Sequence, residues 1–407
     1  MLPRLPTIED VDPRGMKVLV RVDFNVPLDA EGNILDDSRI KAHVPTIEAL
    51  LERECAVVLI SHQGRPGEDG FTQLKPHSEV LSRYLGREVK FVEDVMGPTA
   101  IDEIKKLKQG EVLLLDNVRF VSEELIEAPP DVHARSFLVR RLAQHFNLFV
   151  FDAFATAHRS QPSIVGFPLV LRSVIGHLMR KEVDALRKIL DADYRPRVFV
   201  LGGAKVSDTL KIIENLIKNR LADRILTTGL VALVFHAARG GIVSEHVLRV
   251  LEERGLLSLV PRARRILLSG APIDVPLDYV VLKNDDTVDE CPASNITGRP
   301  MDIGTYTIHM YSELMKDSKL IVMRGPAGYL EDPRFRSGSE ALISSALRSD
   351  AFLIIGGGHL GALLGDVSKE KMHISTGGGA LLMALAGEEL PAIKALTESA
   401  KKFFNWS

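Results

Sequence analysis

Short apolar runs alternate with amphipathic stretches along nearly the whole chain, and that alternation sets the expected architecture. Residues 17–22 read as a first buried strand. Residues 39–53 follow as a helix with Ile40, Val44, Ile47, Leu50 and Leu51 on one face. Strands at 56–60, 89–92, 112–115 and 148–151 then alternate with helices at 78–85, 99–107 and 131–146. Near-continuous apolar strands separated by helices imply a parallel sheet covered on both faces. A helix over 173–191, with Ile175, Leu178, Met179, Val183, Leu186 and Leu190 on one side, is either a connector and hinge or an ordinary crossover. A second series follows: strand 198–201, helix 206–219, and strands near 225–228, 279–282, 320–323, 352–355 and 373–375. The last stretch, 388–404, has helical spacing and either closes the second series or packs elsewhere.

The expectation is α/β: two Rossmann-like, parallel-sheet, three-layer domains joined by a helix hinge. The first would span 1–171, the second 172–387 beginning with the hinge helix, and 388–407 would form a tail. A length of 407 residues agrees with two domains, because single cores seldom grow past roughly 250–300 residues. A net charge of −3 argues against a general nucleic-acid or membrane-surface binder, so any anionic ligand must be held by locally clustered basic groups. The first dozen residues lack the apolar core of a signal peptide, and the uncharged run 225–238 is too short to span a bilayer. Cys55 and Cys291 lie far apart without metal-like spacing, as idle thiols of a cytoplasmic protein would.

Ligands on parallel sheets bind beyond the carboxyl ends of the strands. Arg21, Arg39, His62, Arg65, Arg119 and Arg159 each lie in, or a few residues beyond, a segment following a predicted strand. Any one of them reads as a solvated surface residue. Together they read as a small-anion site, because the guanidinium fork suits phosphate and carboxylate. In the second series the stretch 198–208 runs from strand through Gly202-Gly203-Ala204-Lys205 into a helix, and places a lysine where unpaired helical N–H groups favour phosphate oxygens. Alone it is equally an ordinary joint. Further glycine turns follow at 325–328, 356–359 and 376–379, and such turns let backbone amides approach a phosphate closely. Glu331 either accepts bonds from ribose hydroxyls or is an exposed loop glutamate. The 356–361 glycines formally satisfy G-x-G-x-x-G, yet the next strand ends at Ser375-Thr376 without the acidic residue a dinucleotide site requires. No P-loop exists. An arginine-lined site in one half and glycine turns in the other point to a two-substrate phosphoryl transferase.

The motifs Arg-Val-Asp-Phe-Asn-Val-Pro (21–27), Ser-His-Gln-Gly-Arg-Pro (61–66), Asp-Ala-Phe-Ala-Thr-Ala-His-Arg (152–159), Leu-Gly-Gly-Ala-Lys-Val (201–206), Ile-Gly-Gly-Gly (355–358) and Ser-Thr-Gly-Gly-Gly (375–379) resemble the phosphoglycerate kinase family, in family order across almost the whole chain and in an archaeal-like form. The resemblance implies reversible phosphoryl transfer between 1,3-bisphosphoglycerate and ADP, giving ATP and 3-phosphoglycerate, with Mg²⁺ accompanying the nucleotide and with hinge closure. It implies that Asp23 and Asn25 meet the glycerate, that His62, Gln63, Gly64, Arg65, Arg119 and Arg159 surround the 3-phosphate, and that Arg39 lies at the carboxyl end. Lys205 would contact the transferring group, Glu331 the ribose, and Gly356, Gly357, Gly358 and His359 the nucleotide phosphates. The tail would return to the N-terminal domain. A monomer is expected, with a dimer as the alternative. Two positions depart from bacterial and eukaryotic members: Thr209 stands where a second lysine is expected, and His359 where an aspartate is.

Overall fold

The computed structural model describes residues 3–240, 243–364 and 370–406. It divides into two compact units, Met1–Asp184 with Glu389–Ser407, and Ala185–Glu388.

The first unit holds β1 (Lys17–Arg21), α1 (Ser38–Leu51), β2 (Ala56–Ile60), α2 (Lys75–Leu85), β3 (Val89–Val92), α3 (Pro98–Lys106), β4 (Val112–Leu115), α4 (Pro130–His133), α5 (Phe137–Ala143), β5 (Leu148–Phe151) and β6 (Ser173–Ile175). Its strands form one sheet in the order β3-β4-β2-β1-β5-β6, every pairing parallel. All five residues of β2 are buried, as are all four of β4 and β5, so both faces of the central strands are covered. Side chains of β1, β2, α1 and α2 make one apolar core around Val20, Ile47, Leu59 and Leu81.

Two readings from periodicity need correction here. The helix expected over 131–146 is broken, because Ser136 adopts an extended backbone and its hydroxyl accepts the Val139 N–H, starting α5 afresh. The helix expected over 173–191 is two elements. Ser173–Ile175 pairs with β5 as the edge strand, and α6 (His177–Leu190) begins only afterwards. The division between units falls within α6, between Asp184 and Ala185.

The second unit continues with β7 (Arg197–Leu201), α7 (Val206–Lys218), β8 (Arg224–Thr227), α8 (Gly229–Ala238), α9 (Glu245–Glu253), α10 (Val260–Leu268), β9 (Ile273–Asp274), β10 (Asp278–Leu282), β11 (Val288–Pro292), β12 (Arg299–Ile303), α11 (Thr305–Lys316), β13 (Leu320–Arg324), α12 (Ser337–Arg348), β14 (Phe352–Gly356), α13 (Gly358–Leu364), β15 (Met372–Ser375) and α14 (Gly378–Leu385). Its main sheet runs β15-β14-β13-β7-β8-β9, again parallel throughout. The apolar run at 279–282 does not join it. As β10 it is the centre of a separate antiparallel sheet, β11-β10-β12. The parallel sheet takes the two-residue β9 as its edge instead, too short to show a period.

The last helix, α15 (Pro391–Phe404), packs in the first unit. Ala392 N–H donates to Ala157 O, Lys402 Nζ donates to Leu169 O, and the Arg172 guanidinium lies over the Phe404 ring. Cys55 and Cys291 are buried free thiols, and no helix among the described residues is long and apolar enough to cross a membrane.

Candidate active site

In the first unit, the carboxyl ends of β1, β2, β4 and β5 each run into a loop that carries polar groups, and those loops are tied to one another. Asn25 Oδ1 accepts the Gly64 N–H at 2.9 Å. The Gln63 side-chain amide pairs with the Val26 backbone in both directions, at 3.0 Å each way, and is buried. Asn117 Nδ2 donates to Gln63 O, and the Arg119 guanidinium donates to Gly64 O. Gly64 has φ +62, and a Cβ there would meet the Phe71 backbone at 2.7 Å, so the turn accepts only glycine.

Arg39 reaches this group from the first turn of α1 and pairs with Asp23 at 2.5 Å. Asp23 is fixed in turn from below. Its N–H donates to His43 Nε2 (3.0 Å), while His43 Nδ1–H donates to Asp152 Oδ2 (2.9 Å) and the Met179 N–H donates to Asp152 Oδ1. His43 and Asp152 are almost wholly buried. Arg21, expected among the anion-facing cations, plays a different part. It is 1% exposed and donates to Val22 O, Ile60 O and His62 Nδ1. A guanidinium only donates, so His62 Nδ1 accepts and its proton sits on Nε2. Burial, then the fields of Arg21, Arg159, Arg39 and Arg65, push the His62 pKa well below its ordinary value, so the ring is neutral near pH 7. Arg65 is exposed and Arg159 half-buried, and among the described residues neither has an ion-pair partner. Asp23, Asn25, Arg39, His62, Gln63, Gly64, Arg65, Arg119 and Arg159 are thus gathered at one edge of the sheet, with His43, Asp152 and Arg21 supporting them. His43 gave no sequence signal beyond its place on the buried face of α1.

In the second unit the strand ends enclose a cavity of ≈ 750 Å³. The loop after β7 and the loop after β13 are stitched together by Gly202 N–H to Arg324 O (2.8 Å) and Gly203 N–H to Pro326 O (3.0 Å), and Gly229 N–H donates to Ala327 O. Gly325, at φ +78, lies so close that a Cβ would stand 2.2 Å from Gly202 O. Lys205, Gly229 and Gly378, at or beside the first residues of α7, α8 and α14, line the cavity, so the partial positive charge of these helix starts lies at its wall. Glu331, Gly356 and Gly357 also line it, alongside apolar Leu230, Leu233, Met301, Leu330 and Leu382. Tyr279, 2% exposed, lines it too, with its hydroxyl unpartnered. Lys205 is exposed and forms no ion pair among the described residues. Beyond their backbones, which open α13, Gly358 and His359 lie outside the described residues. Thr209 is buried, donates to Lys205 O at 3.0 Å and accepts from Arg324 Nη1 at 3.5 Å. Arg324 is not among the residues expected from the sequence, where it ends an apolar run immediately before a glycine turn.

Residues 8–388 match the family described as Phosphoglycerate kinase. The chain belongs to the phosphoglycerate kinase family. It is 54% identical over 398 residues to the phosphoglycerate kinase of Saccharolobus solfataricus, covering 97% of each chain. It is 47% identical to that of Aeropyrum pernix, covering 98% of this chain and 97% of the relative. Among solved structures, phosphoglycerate kinase from Pyrococcus horikoshii OT3 superposes with a TM-score of 0.89 at 39% identity, covering 98% of this chain and all of that one. Phosphoglycerate kinase from Coxiella burnetii gives 0.82 at 30% identity. The archaeal likeness drawn from the motifs therefore holds, as does the fold of two parallel-sheet units. As a phosphoglycerate kinase the chain is a phosphotransferase with a carboxyl acceptor, interconverting 1,3-bisphosphoglycerate and ADP with 3-phosphoglycerate and ATP.

Proposed function

We propose that the first unit binds the phosphoglycerate and the second the nucleotide, and that closure of the units on one another brings donor and acceptor together. The observation that carries this reading is the unbalanced charge of the first group. Arg65 and Arg159 lack acidic partners among the described residues, and burial together with the surrounding arginines keeps His62 neutral. A cluster of that kind is complete only with an anion in it. His62, Arg65, Arg119 and Arg159 would hold the 3-phosphate, Asp23 and Asn25 the glycerate, and Arg39 the carboxyl end. Gln63 and Gly64 serve through backbone shape, since the Gln63 amide is spent on Val26.

The cavity of the second unit suits a nucleotide by its size, its apolar wall and its first-turn amides. Lys205 would meet the transferring group, Glu331 the ribose hydroxyls, and the glycines at 356–358 with residue 359 the phosphates. The carboxylate of 3-phosphoglycerate is ionised at neutral pH, so transfer needs no general base. What it needs is alignment and neutralisation of the equatorial oxygens. Mg²⁺ would supply part of that neutralisation. Among the described residues lining the cavity only Asp302 and Glu331 are acidic, and Asp302 already accepts the Gly338 and Ile303 N–H groups. This donor set fits an ion carried by nucleotide phosphates and water, not one caged by protein. Both sites draw on a single chain, so a monomer suffices, working in the cytoplasm.

A coupled assay with 3-phosphoglycerate, ATP and Mg²⁺ tests the reading, with Arg39→Ala as the decisive variant. The expected result is a kcat lower by roughly 10²–10⁵ with ADP binding intact. A near wild-type kcat would remove Arg39 from the chemistry.

A further inference from the structure

Arg324 is the last residue of β13, the strand paired in register with Leu201 at the end of β7 and with Gly356 at the end of β14. It therefore stands between the two glycine turns that open the cavity, and its side chain lines that cavity. It is half-buried. No carboxylate among the described residues forms an ion pair with it, and its guanidinium makes a long contact, 3.5 Å, to the neutral Thr209 hydroxyl. Burial lowers its pKa, and Asp208 alone offsets this from a distance. A partly desolvated cation facing a cavity without an acid beside it is costly unless a ligand supplies the counter-charge. Of the other cations among the described lining residues, Arg299 is paired with Glu253, and Lys205 stands on a loop bonded to the Arg324 backbone through Gly202.

We propose that Arg324 is a catalytic residue, whose guanidinium binds the terminal phosphate oxygens of the nucleotide and stabilises the phosphoryl group in flight. The proposal rests on the cavity being the nucleotide site. In the direction of ATP synthesis, an ADP β-phosphate oxygen forms the new P–O bond while the bond to the acyl oxygen breaks. The leaving electron pair stays on the 3-phosphoglycerate carboxylate, and no proton moves. Charge gathers on the equatorial oxygens between the two, where a planar fork can hold two oxygens at once. Thr209 keeps the fork in place by accepting one N–H while its own proton is committed to Lys205 O.

The test compares wild type with Arg324→Gln and Arg324→Lys in the full chain, by steady-state kinetics and by calorimetric binding of ADP and of AMP. The expected result for Arg324→Gln is a kcat lower by about 10²–10³ and about tenfold weaker ADP binding. AMP binding and the KM for 3-phosphoglycerate should change by less than about twofold. Arg324→Lys, which keeps the charge without the fork, should fall between wild type and Arg324→Gln. A kcat within threefold of wild type overturns the proposal, as does equal loss of AMP and ADP binding, or an Arg324→Lys no better than Arg324→Gln. Should Arg324→Gln fail to fold, Arg324→Lys carries the test through the same ADP-to-AMP ratio. Leu230→Trp, which plugs the cavity, separates the two levels. If it leaves both nucleotides bound, the cavity reading has failed. If it abolishes both while Arg324→Gln leaves the ADP-to-AMP ratio intact, only the role of Arg324 has.

Discussion

Replacing His43 with leucine should unfold the first unit more readily while leaving the second untouched. The side chain is about 1% exposed and joins two otherwise distant pieces of chain, accepting the Asp23 N–H and donating to Asp152 Oδ2. Leucine fills much the same apolar space, so little of the effect is lost packing. What is lost is both hydrogen bonds, leaving a buried N–H and a buried carboxyl oxygen without partners. At about 1–3 kcal/mol for each orphaned group, the cost is about 2–6 kcal/mol. That is a large share of the stability of an ordinary domain. The chain has one tryptophan, Trp406, which lies in the first unit with the Arg4 guanidinium 4.4 Å from its ring centre, so its fluorescence in a urea titration reports that unit. ADP binding by calorimetry reports the second, on the proposed placement of the nucleotide there. The Trp406 transition should move to lower urea with unchanged slope, and the ADP isotherm should not change. A double variant with Asp152→Leu should cost less than the two singles summed, because the shared bond is counted once. A Trp406 shift worth under about 1 kcal/mol would refute the account, since no mild loss is compatible with two unmet buried groups. Equal damage to ADP binding would refute it too.

Gly325→Ala should cost far more than its size suggests, because φ is +78 and the added methyl would stand 2.2 Å from a backbone oxygen. About 2–4 kcal/mol of stability and more than tenfold of ADP affinity should go. Gly255→Ala, at φ +65 with open space around it, should lose only about 1 kcal/mol, and equal effects at the two sites would contradict the close-approach argument. Acid sensitivity should trace in part to His77, which burial pushes down to about 4 from an ordinary 6.5. Below pH 6.5 the unfolded chain takes up the proton first, so stability is lost between about pH 6.5 and pH 4, by up to about 3 kcal/mol. Glu124 runs the other way. Burial raises its carboxyl to about 7, so it favours the folded chain at low pH and weakens it as pH climbs from 4.5 to 7. Urea midpoints from pH 4 to 8 should show a shallower acid limb in His77→Gln and, in Glu124→Gln, removal of the opposing slope. Unchanged profiles would dismiss both assignments.

Much of this was legible because parallel strands buried on both faces read as unbroken apolar runs, and β2, β4, β5, β7, β13 and β14 all do. The strand-end loops were legible for a related reason, since a parallel sheet sends its polar residues to one edge. The failures have physical causes. Ser173–Ile175 carries apolar positions that fit a helical face as well as a strand, and only pairing with β5 decides between them. Tyr279–Leu282 looks like a parallel strand because one of its faces is buried, yet register with Val288–Pro292 and Arg299–Ile303 is invisible to periodicity. In the site, Arg21 and Arg39 carry the same charge at neighbouring strand and helix ends. One is fully buried and aims a histidine, while the other is half-exposed and paired with Asp23. No property of the residue types distinguishes them. Burial does, and burial is a property of the fold.

The contrast between the units follows from what each would hold. A phosphoglycerate offers little apolar area and much charge, so affinity for it must come from charge-assisted bonds to side chains. The first unit accordingly gathers guanidinium groups, and their field adds to burial in depressing the affinity of His62 for a proton. A neutral His62 is useful there, because it offers a hydrogen bond from Nε2 without adding to that repulsion. A nucleotide brings a large apolar base and its phosphates at opposite ends. The second unit would meet it with leucine and methionine on one part of the cavity wall and with glycine turns, first-turn amides, Lys205 and Arg324 on another. Backbone amides carry partial charge with no side-chain entropy to lose and little mutual repulsion, so few full cations are needed. Among the described residues Lys205 and Arg324 form no ion pair, and it is at such cations that charge appearing only during transfer can be met most strongly.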